Sequence, residues 1–502
     1  MKAALRLAAG LITLLGGTAV AAPEPVRIDS GLVAGTVEDG IAAWRSIPYA
    51  APPVGPLRWR EPQPAASWQG VRQATSFSPT CMQASSWDKQ PRSEDCLTLS
   101  VWAPEDYSGK KLPVMVWIHG GGLHSGSGSQ PSYLGDRLPR HGVILVTFNY
   151  RLGIFGFFSH PELTAESPFH ASGNQGQLDQ IAALQWVQRN IAAFGGDPAR
   201  VTIFGESAGS GSVRHLIASP LTEGLFQAAI GESGADYTQR TKREHRAAVA
   251  EERGKQFAES AGAGSLAALR ALPAETLSEK PWKPEEIADG HVEIGEASEA
   301  YAAHRQRDVP LLVGWNADEG VDLAGDMQNL TPQGFHEMLA GWFQPRPIPS
   351  LFDTLYPLVD ESKVRFMQDS MGAAMWNWAS EQVSGGARSP AYAYYFLHVP
   401  PEPFEPCTYG CRAGHGAEIR YVFGHLDQDR AWRPEDRELG EHILDYWTNF
   451  AKTGNPNGPG LPVWPKFDGK PQTVLRLGTA AEIAERGAFP DYSAWLAALR
   501  GP

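Results

Sequence analysis

Val201-Thr202-Ile203-Phe204-Gly205-Glu206-Ser207-Ala208-Gly209-Ser210 is the stretch on which the architecture turns. Val201 to Phe204 is a short β-branched and aromatic run, as a buried strand requires. The next five residues are a G-x-S-x-G, and a helix-compatible segment follows. Strand, sharp turn and helix in that order are the context of a nucleophile elbow. Glycines flank the serine because a Cβ at either place would collide with neighbouring backbone. The turn lifts the Ser207 hydroxyl above the sheet, over the helix N-terminus. With 53 glycines in 502 residues the pentapeptide by itself also reads as a turn that packs a helix on a sheet. The strand before it and the helix after it favour the elbow.

Outward from this point, strands and helices alternate. Val114 to Ile118, Val143 to Phe148 and Phe226 to Ile230 are short apolar runs, each read as a buried strand. Between Gly173 and Gly195, Leu178, Ile181, Leu184, Val187 and Ile191 recur at helical spacing, and Gly195-Gly196-Asp197-Pro198 stops the helix. Thr241 to Arg307 has helical periodicity, Leu311 to Gly314 and Tyr392 to Leu397 read as strands, and Thr331 to Tyr356 as loop and short helix. This alternation predicts an α/β fold with a mostly parallel central sheet, helices on both faces, and helical excursions covering one end. The excursions lie between sheet strands, so the chain is read as a single domain over 22–502.

Composition narrows the class. Hydrophobic residues are 42% and charged residues 20%, an ordinary globular balance. The 43 basic and 56 acidic side chains give a net charge of -13, which argues against a nucleic-acid partner and against anionic lipid. Lys2 and Arg6, the apolar Leu7 to Leu15, and Ala19-Val20-Ala21 form a secretory signal pattern over 1–21. Its apolar core is shorter than the roughly 18 residues of a membrane anchor. A secreted or periplasmic location follows, and there disulfides are permitted. Cys81 and Cys96 form one close pair and Cys407 and Cys411 another. Three connectivities are open; the two local bridges are preferred. Cys407, Cys411 and His415 also have metal-like spacing, but no fourth ligand is near.

His119-Gly120-Gly121-Gly122 follows the strand ending at Ile118. Glycines in series expose main-chain N–H groups. Those of Gly121, Gly122 and Ala208 form a candidate oxyanion hole, which stabilises charge that develops only in a tetrahedral transition state. His119, directly before the glycines, reads as a structural hydrogen-bonding residue more than as a base.

With these segments the chain resembles the type-B carboxylesterase/cholinesterase family of α/β hydrolases. The further residues carrying the resemblance are Ser93-Glu94-Asp95-Cys96-Leu97, Asn149-Tyr150-Arg151-Leu152-Gly153, Gly173-Asn174-Gln175-Gly176 and Phe194-Gly195-Gly196-Asp197-Pro198. Near the end come Tyr446-Trp447-Thr448-Asn449-Phe450 and Gly454-Asn455-Pro456-Asn457. The resemblance implies a triad of Ser207, Glu319 in Asp318-Glu319-Gly320, and His415 in His415-Gly416-Ala417-Glu418-Ile419. It also implies a Cys81–Cys96 bridge, a buried Arg58–Glu94 ion pair, Ser233 supporting the triad acid, and Glu206 beside the nucleophile. No metal or organic cofactor is implied.

The implied reaction is carboxylic ester hydrolysis through an acyl-enzyme, with His415 as base, Glu319 as its orienting partner and activity falling as His415 becomes protonated. The expected partner is a small-molecule ester, with neither nucleic acid nor membrane. The absence of a trailing oligomerisation helix favours a monomer. Departures touch the substrate: Leu123-His124 follows the glycine turn where the family often has an aromatic residue, and Glu232-Ser233-Gly234 stands where Gln-Ser-Gly is common. Trp376, Trp378 and Trp87 are candidates for the neighbourhood of the site. Two alternatives stay open: a non-catalytic binding or adhesion protein of this fold, and an amidase or carbamate hydrolase using the same triad.

Overall fold

The computed structural model describes residues 23–84, 90–235, 246–295, 297–404, 411–427, 430–486 and 490–500. The expected signal segment, Trp87 and the Cys407 half of the second expected bridge lie outside these residues. Ten strands form the central sheet: β1 Thr36–Glu38, β2 Ile41–Pro48, β3 Thr98–Pro104, β4 Leu112–Ile118, β5 Ile144–Phe148, β6 Gly196–Glu206, β7 Ala228–Glu232, β8 Leu311–Asn316, β9 Ala391–Phe396 and β10 Val474–Leu477. Their order across the sheet is β10-β9-β8-β7-β6-β4-β5-β3-β2-β1. The run from β10 to β5 is parallel; β3, β2 and β1 extend it as antiparallel strands.

Every strand expected from the sequence is present, within a few residues at its ends. The parallel strands β4, β5 and β8 are buried on both faces, so their sequences are almost wholly apolar instead of alternating. One face packs Val114, Val116, Val201 and Ile203 against α1 Gln175–Asn190 and α2 Ala208–Ala218. The other packs Trp117, Phe204 and Ile230 against the long α5 Pro434–Thr453 and its neighbours. Two further helices matter below: α3 Glu319–Leu323 and α4 Glu361–Ser384. The segment expected as loop and short helix contains a three-turn helix, Pro332–Phe343, whose Thr331 side chain caps the amide of Gly334. Among the described residues no helix is long and apolar enough to cross a membrane.

Several recurring segments are structural braces. Arg151 grips Asp179 through Nε and Nη2 at 2.7 Å each, tying the turn after β5 to α1. Asn174 exchanges two hydrogen bonds with the backbone of Ile287, at 2.7 and 3.0 Å, which docks the helical excursion onto the start of α1. The expected Arg58–Glu94 pair is present and bidentate, at 2.6 and 2.5 Å, with Arg58 also donating to the carbonyls of Arg270 and Leu272. Cys81 and Cys96 are bridged, as expected, with their Cα atoms 5.0 Å apart.

The chain leaves β4 for β5 on one side and then returns to place β6 on the other side of β4. The crevice where the direction switches is the usual position for a ligand site in such a sheet. Gly205 pairs in register with Ile118, so the turn after β6 and the turn after β4 emerge side by side.

Candidate active site

Ser207 stands between β6 and α2 with φ 56° and ψ −125°. Non-glycine residues avoid this region, and such strain persists only where the surroundings fix it. Two hydrogen bonds hold it: the Ser207 N–H donates to the Glu232 carbonyl at 2.9 Å, and its own carbonyl accepts from Gly211 at 3.0 Å. A Cβ on Gly205 would lie 2.6 Å from the Gly209 carbonyl carbon, and one on Gly209 would overlap the Ile118 carbonyl oxygen. The two glycines of the motif are therefore required by the close crossing of β4 under the elbow.

The turn after β4 folds over the same place. Gly121 has φ 100° and Gly122 φ 61°. The Gly121 carbonyl accepts from the amides of His124 and Ser125, at 3.2 and 3.0 Å, which closes the turn. Gly120, Gly121, Gly122 and Ser207 line one cavity of about 500 Å³. His119 lies behind this wall: its ring stacks on Tyr150 at 4.4 Å and its Nδ1 faces the Gly120 carbonyl at 2.9 Å. This is the structural role read from the sequence.

Glu319 opens α3, directly after β8, and is fully buried. One carboxylate oxygen accepts the Asn316 N–H at 2.8 Å and the other meets His415 Nδ1 at 2.6 Å. Asp318, its neighbour in the chain, is turned away towards Arg412 and the Ala413 amide. His415 lies on the loop after β9, and its main-chain N–H donates to Asp322 at 2.9 Å. The imidazole lines the same cavity as Ser207. Its Nε2 is 3.2 Å from Glu206 Oε1.

Four carboxyls, Glu206, Glu232, Glu319 and Glu418, converge here with exposures of 2% or less. Burial pulls the His415 pKa down, but the Glu206 and Glu319 charges outweigh it and push it up to about 10. Burial, reinforced by Glu206 and Glu319, pushes Glu418 up to about 8. Glu232 is held well above the usual carboxyl range by burial and by Glu418, while accepting a 2.8 Å hydrogen bond from Trp447 Nε1. The Tyr446–Phe450 signature thus reaches the site through one indole. Glu418 accepts a hydrogen bond from Asn316 Nδ2.

Some residues behave differently from expectation. The Ser233 hydroxyl is buried with no hydrogen-bond partner among the described residues, and Asn316 and His415 occupy the two Glu319 oxygens instead. Trp378 donates to Tyr301 and Trp376 packs on Phe467, both in the core away from the cavity lining. Conversely, Asn316 and Asp322 position the acid and the imidazole without having been singled out. Asn316 precedes Glu319 by three residues, a spacing that signals a local cap; Asp322 carries no such signal. Arg420, Arg430 and Leu323 also line the cavity, with His124 beside the glycine turn. Among the described residues no cluster of three or more His, Cys, Asp or Glu is arranged to hold a metal ion.

Comparison with known proteins gives concordant results. The model of the carboxylesterase family matches residues 22–340 and 357–495. A fumonisin B1 esterase of Sphingopyxis macrogoltabida is 36% identical, over 94% of this chain and 91% of that protein. A para-nitrobenzyl esterase of Bacillus subtilis (strain 168) is 37% identical, over 91% and 95%. A solved PNB esterase structure superposes with a TM-score of 0.78 at 36% identity, covering 90% of this chain and 96% of that one.

Proposed function

Because the chain belongs to the carboxylesterase family, and is a carboxylic ester hydrolase of the α/β-hydrolase fold, we propose that it works through an acyl-enzyme on Ser207, with His415 as base and Glu319 as its partner. The observation that carries this reading is the 2.6 Å contact of His415 Nδ1 with Glu319, made at the wall of the cavity that Ser207 also lines. His415 takes the Ser207 proton as the hydroxyl attacks the ester carbonyl. Glu319 holds the ring so that Nε2 is the basic nitrogen, and it stabilises the imidazolium that forms. The main-chain N–H groups of Gly121, Gly122 and Ala208 take the developing oxyanion. His415 then gives its proton to the leaving alcohol, and water repeats the sequence on the acyl-enzyme. No step calls for a metal or organic cofactor. The substrate is a small-molecule ester.

We further propose export, on the signal pattern over 1–21 and on the Cys81–Cys96 bridge, which needs an oxidising compartment to persist. One experiment addresses both. The protein is recovered from outside the cytoplasm after treatment with a serine-directed phosphonate and analysed by mass spectrometry. Modification on Ser207 alone and an N-terminus at Ala22 are expected. Label on another serine with Ser207 intact would overturn the first proposal, and an uncleaved N-terminus the second.

The pH dependence follows from the acids around His415. The base acts only when neutral. Its pKa is raised above the ordinary 6.5, so the neutral fraction, and kcat/KM with it, is low in acid and rises through an alkaline-displaced limb. Replacing Glu206 by Gln removes the larger of the charges that raise it, and the limb is expected to move towards lower pH. A kcat/KM–pH series on both proteins checks this. An unmoved limb would show that Glu206 is not charged beside the ring.

A further inference from the structure

A second cavity, of about 760 Å³, lies against the first. Gln130, Ser132 and Arg420 line both, so these residues form the partition between them. The floor of the second cavity is apolar: Phe77, Trp102 and Leu134 line it and do not line the first. Phe77 and Trp102 face each other with ring centroids 6.4 Å apart, and the Arg45 guanidinium covers Phe77 at 5.7 Å. The rim is charged, and most of its charges are engaged with one another. Arg137 pairs with Asp427 at 2.5 Å and with Asp136 at 3.3 Å, Arg45 with Glu38 at 3.7 Å, and His425 with Asp136 at 2.7 Å. Arg140 donates to the carbonyls of Asp136 and Asp39. The side chain of Asp136 is 52% exposed, so the cavity opens to solvent at this rim.

Volume decides what can reach it. A pocket of some 300–1,000 Å³ encloses a drug-sized molecule. A small aryl acetate is therefore contained by the first cavity, and only a larger ester extends past the partition. Resting on the reading that Ser207 and His415 hydrolyse esters, we propose that the second cavity is a continuation of the substrate site that holds the remote arm of a large ester. The chemistry of the lining selects the arm. The four arginines and four carboxylates of the lining balance and so leave no surplus of either sign to attract an ionic arm, the aromatic floor favours apolar contact, and the polar partition favours ether or hydroxyl oxygens. The arm is thus a neutral amphiphilic chain.

The test compares p-nitrophenyl acetate with two esters that carry a tetra(ethylene glycol) arm, one on the acyl side and one on the alcohol side. At least one long ester is expected to have a KM roughly tenfold below that of the acetate. Phe77→Ala removes the ring the arm would lie on and is expected to raise that KM roughly tenfold. It should leave the acetate kinetics unchanged, and these also report that the variant is folded. Leu134→Ala gives the same pattern and stands in if Phe77→Ala is unstable. Long esters with a KM at or above that of the acetate, or variants that alter both substrates equally or neither, would overturn the inference. Acetate turnover that persists in Ser207→Ala would overturn the hydrolase reading itself and this inference with it.

Discussion

Ser207→Ala is expected to lower kcat by roughly five to six orders of magnitude, with KM little changed and the fold intact. The size follows from the role proposed. Without the hydroxyl there is no acyl-enzyme, and only binding and main-chain oxyanion stabilisation remain to speed attack by water. The fold should survive because the substitution deletes one oxygen and leaves a Cβ whose backbone is held from outside. The Glu232 carbonyl holds the Ser207 amide and Gly211 holds its carbonyl. Gly205 and Gly209 keep the crossing with β4 open. Stopped kinetics beside an unchanged thermal transition would support the assignment. Turnover within tenfold of the unmodified protein would refute it, and would favour a second nucleophile or a different hydrolytic centre.

Glu319→Gln should cost about four orders of magnitude in kcat, although it changes neither length nor shape. The Asn316 N–H, at 2.8 Å, needs an acceptor, so the amide oxygen of the glutamine keeps that place. Its NH₂ then faces His415 Nδ1. Two donors cannot face each other, so Nδ1 becomes the acceptor and the ring proton moves to Nε2. The imidazole is left in the tautomer that cannot take a proton from Ser207. The loss of negative charge also withdraws support from the imidazolium. Burst kinetics and circular dichroism check this, since the acylation rate should fall with no change in secondary structure. A fall of less than tenfold would show that Glu319 is not the partner of the base. The amidase and carbamate alternatives share both predictions, and matched ester and amide substrates separate them.

Much of the site was legible because its parts are local. A strand ending in a glycine-flanked serine, and another ending in a glycine run, are each complete within about ten residues. The acid and the histidine were different. Glu319 is one of 56 acidic side chains and His415 one of 14 histidines, and no local pattern physically requires them. They became candidates only because their neighbourhoods resemble a known family. Ser233 shows the limit of that route: its expected support of Glu319 is absent among the described residues, where its hydroxyl is buried without a hydrogen-bond partner and the Asn316 amide, three residues from the acid, holds the carboxylate instead. Trp376 and Trp378 show another limit. The sequence offered them as candidates for the neighbourhood of the site, but which faces of α4 are covered is a matter of packing, and that packing buries both.

The chain by itself determined what short-range stereochemistry and burial dictate: which segments are strands buried on two faces, where the backbone must turn through positive φ, and that Ser207 sits on such a turn. Only the tertiary structure decided the electrostatics. Three carboxyls drawn from β6, α3 and the loop after β9 act on one imidazole, a fourth on β7 acts on two of them, and a second cavity adjoins the first across Gln130, Ser132 and Arg420. The physical reason is range. Backbone preferences act over a few residues, whereas charge interaction and cavity shape depend on distances between residues that are hundreds of positions apart in the chain, and only the assembled sheet brings those together.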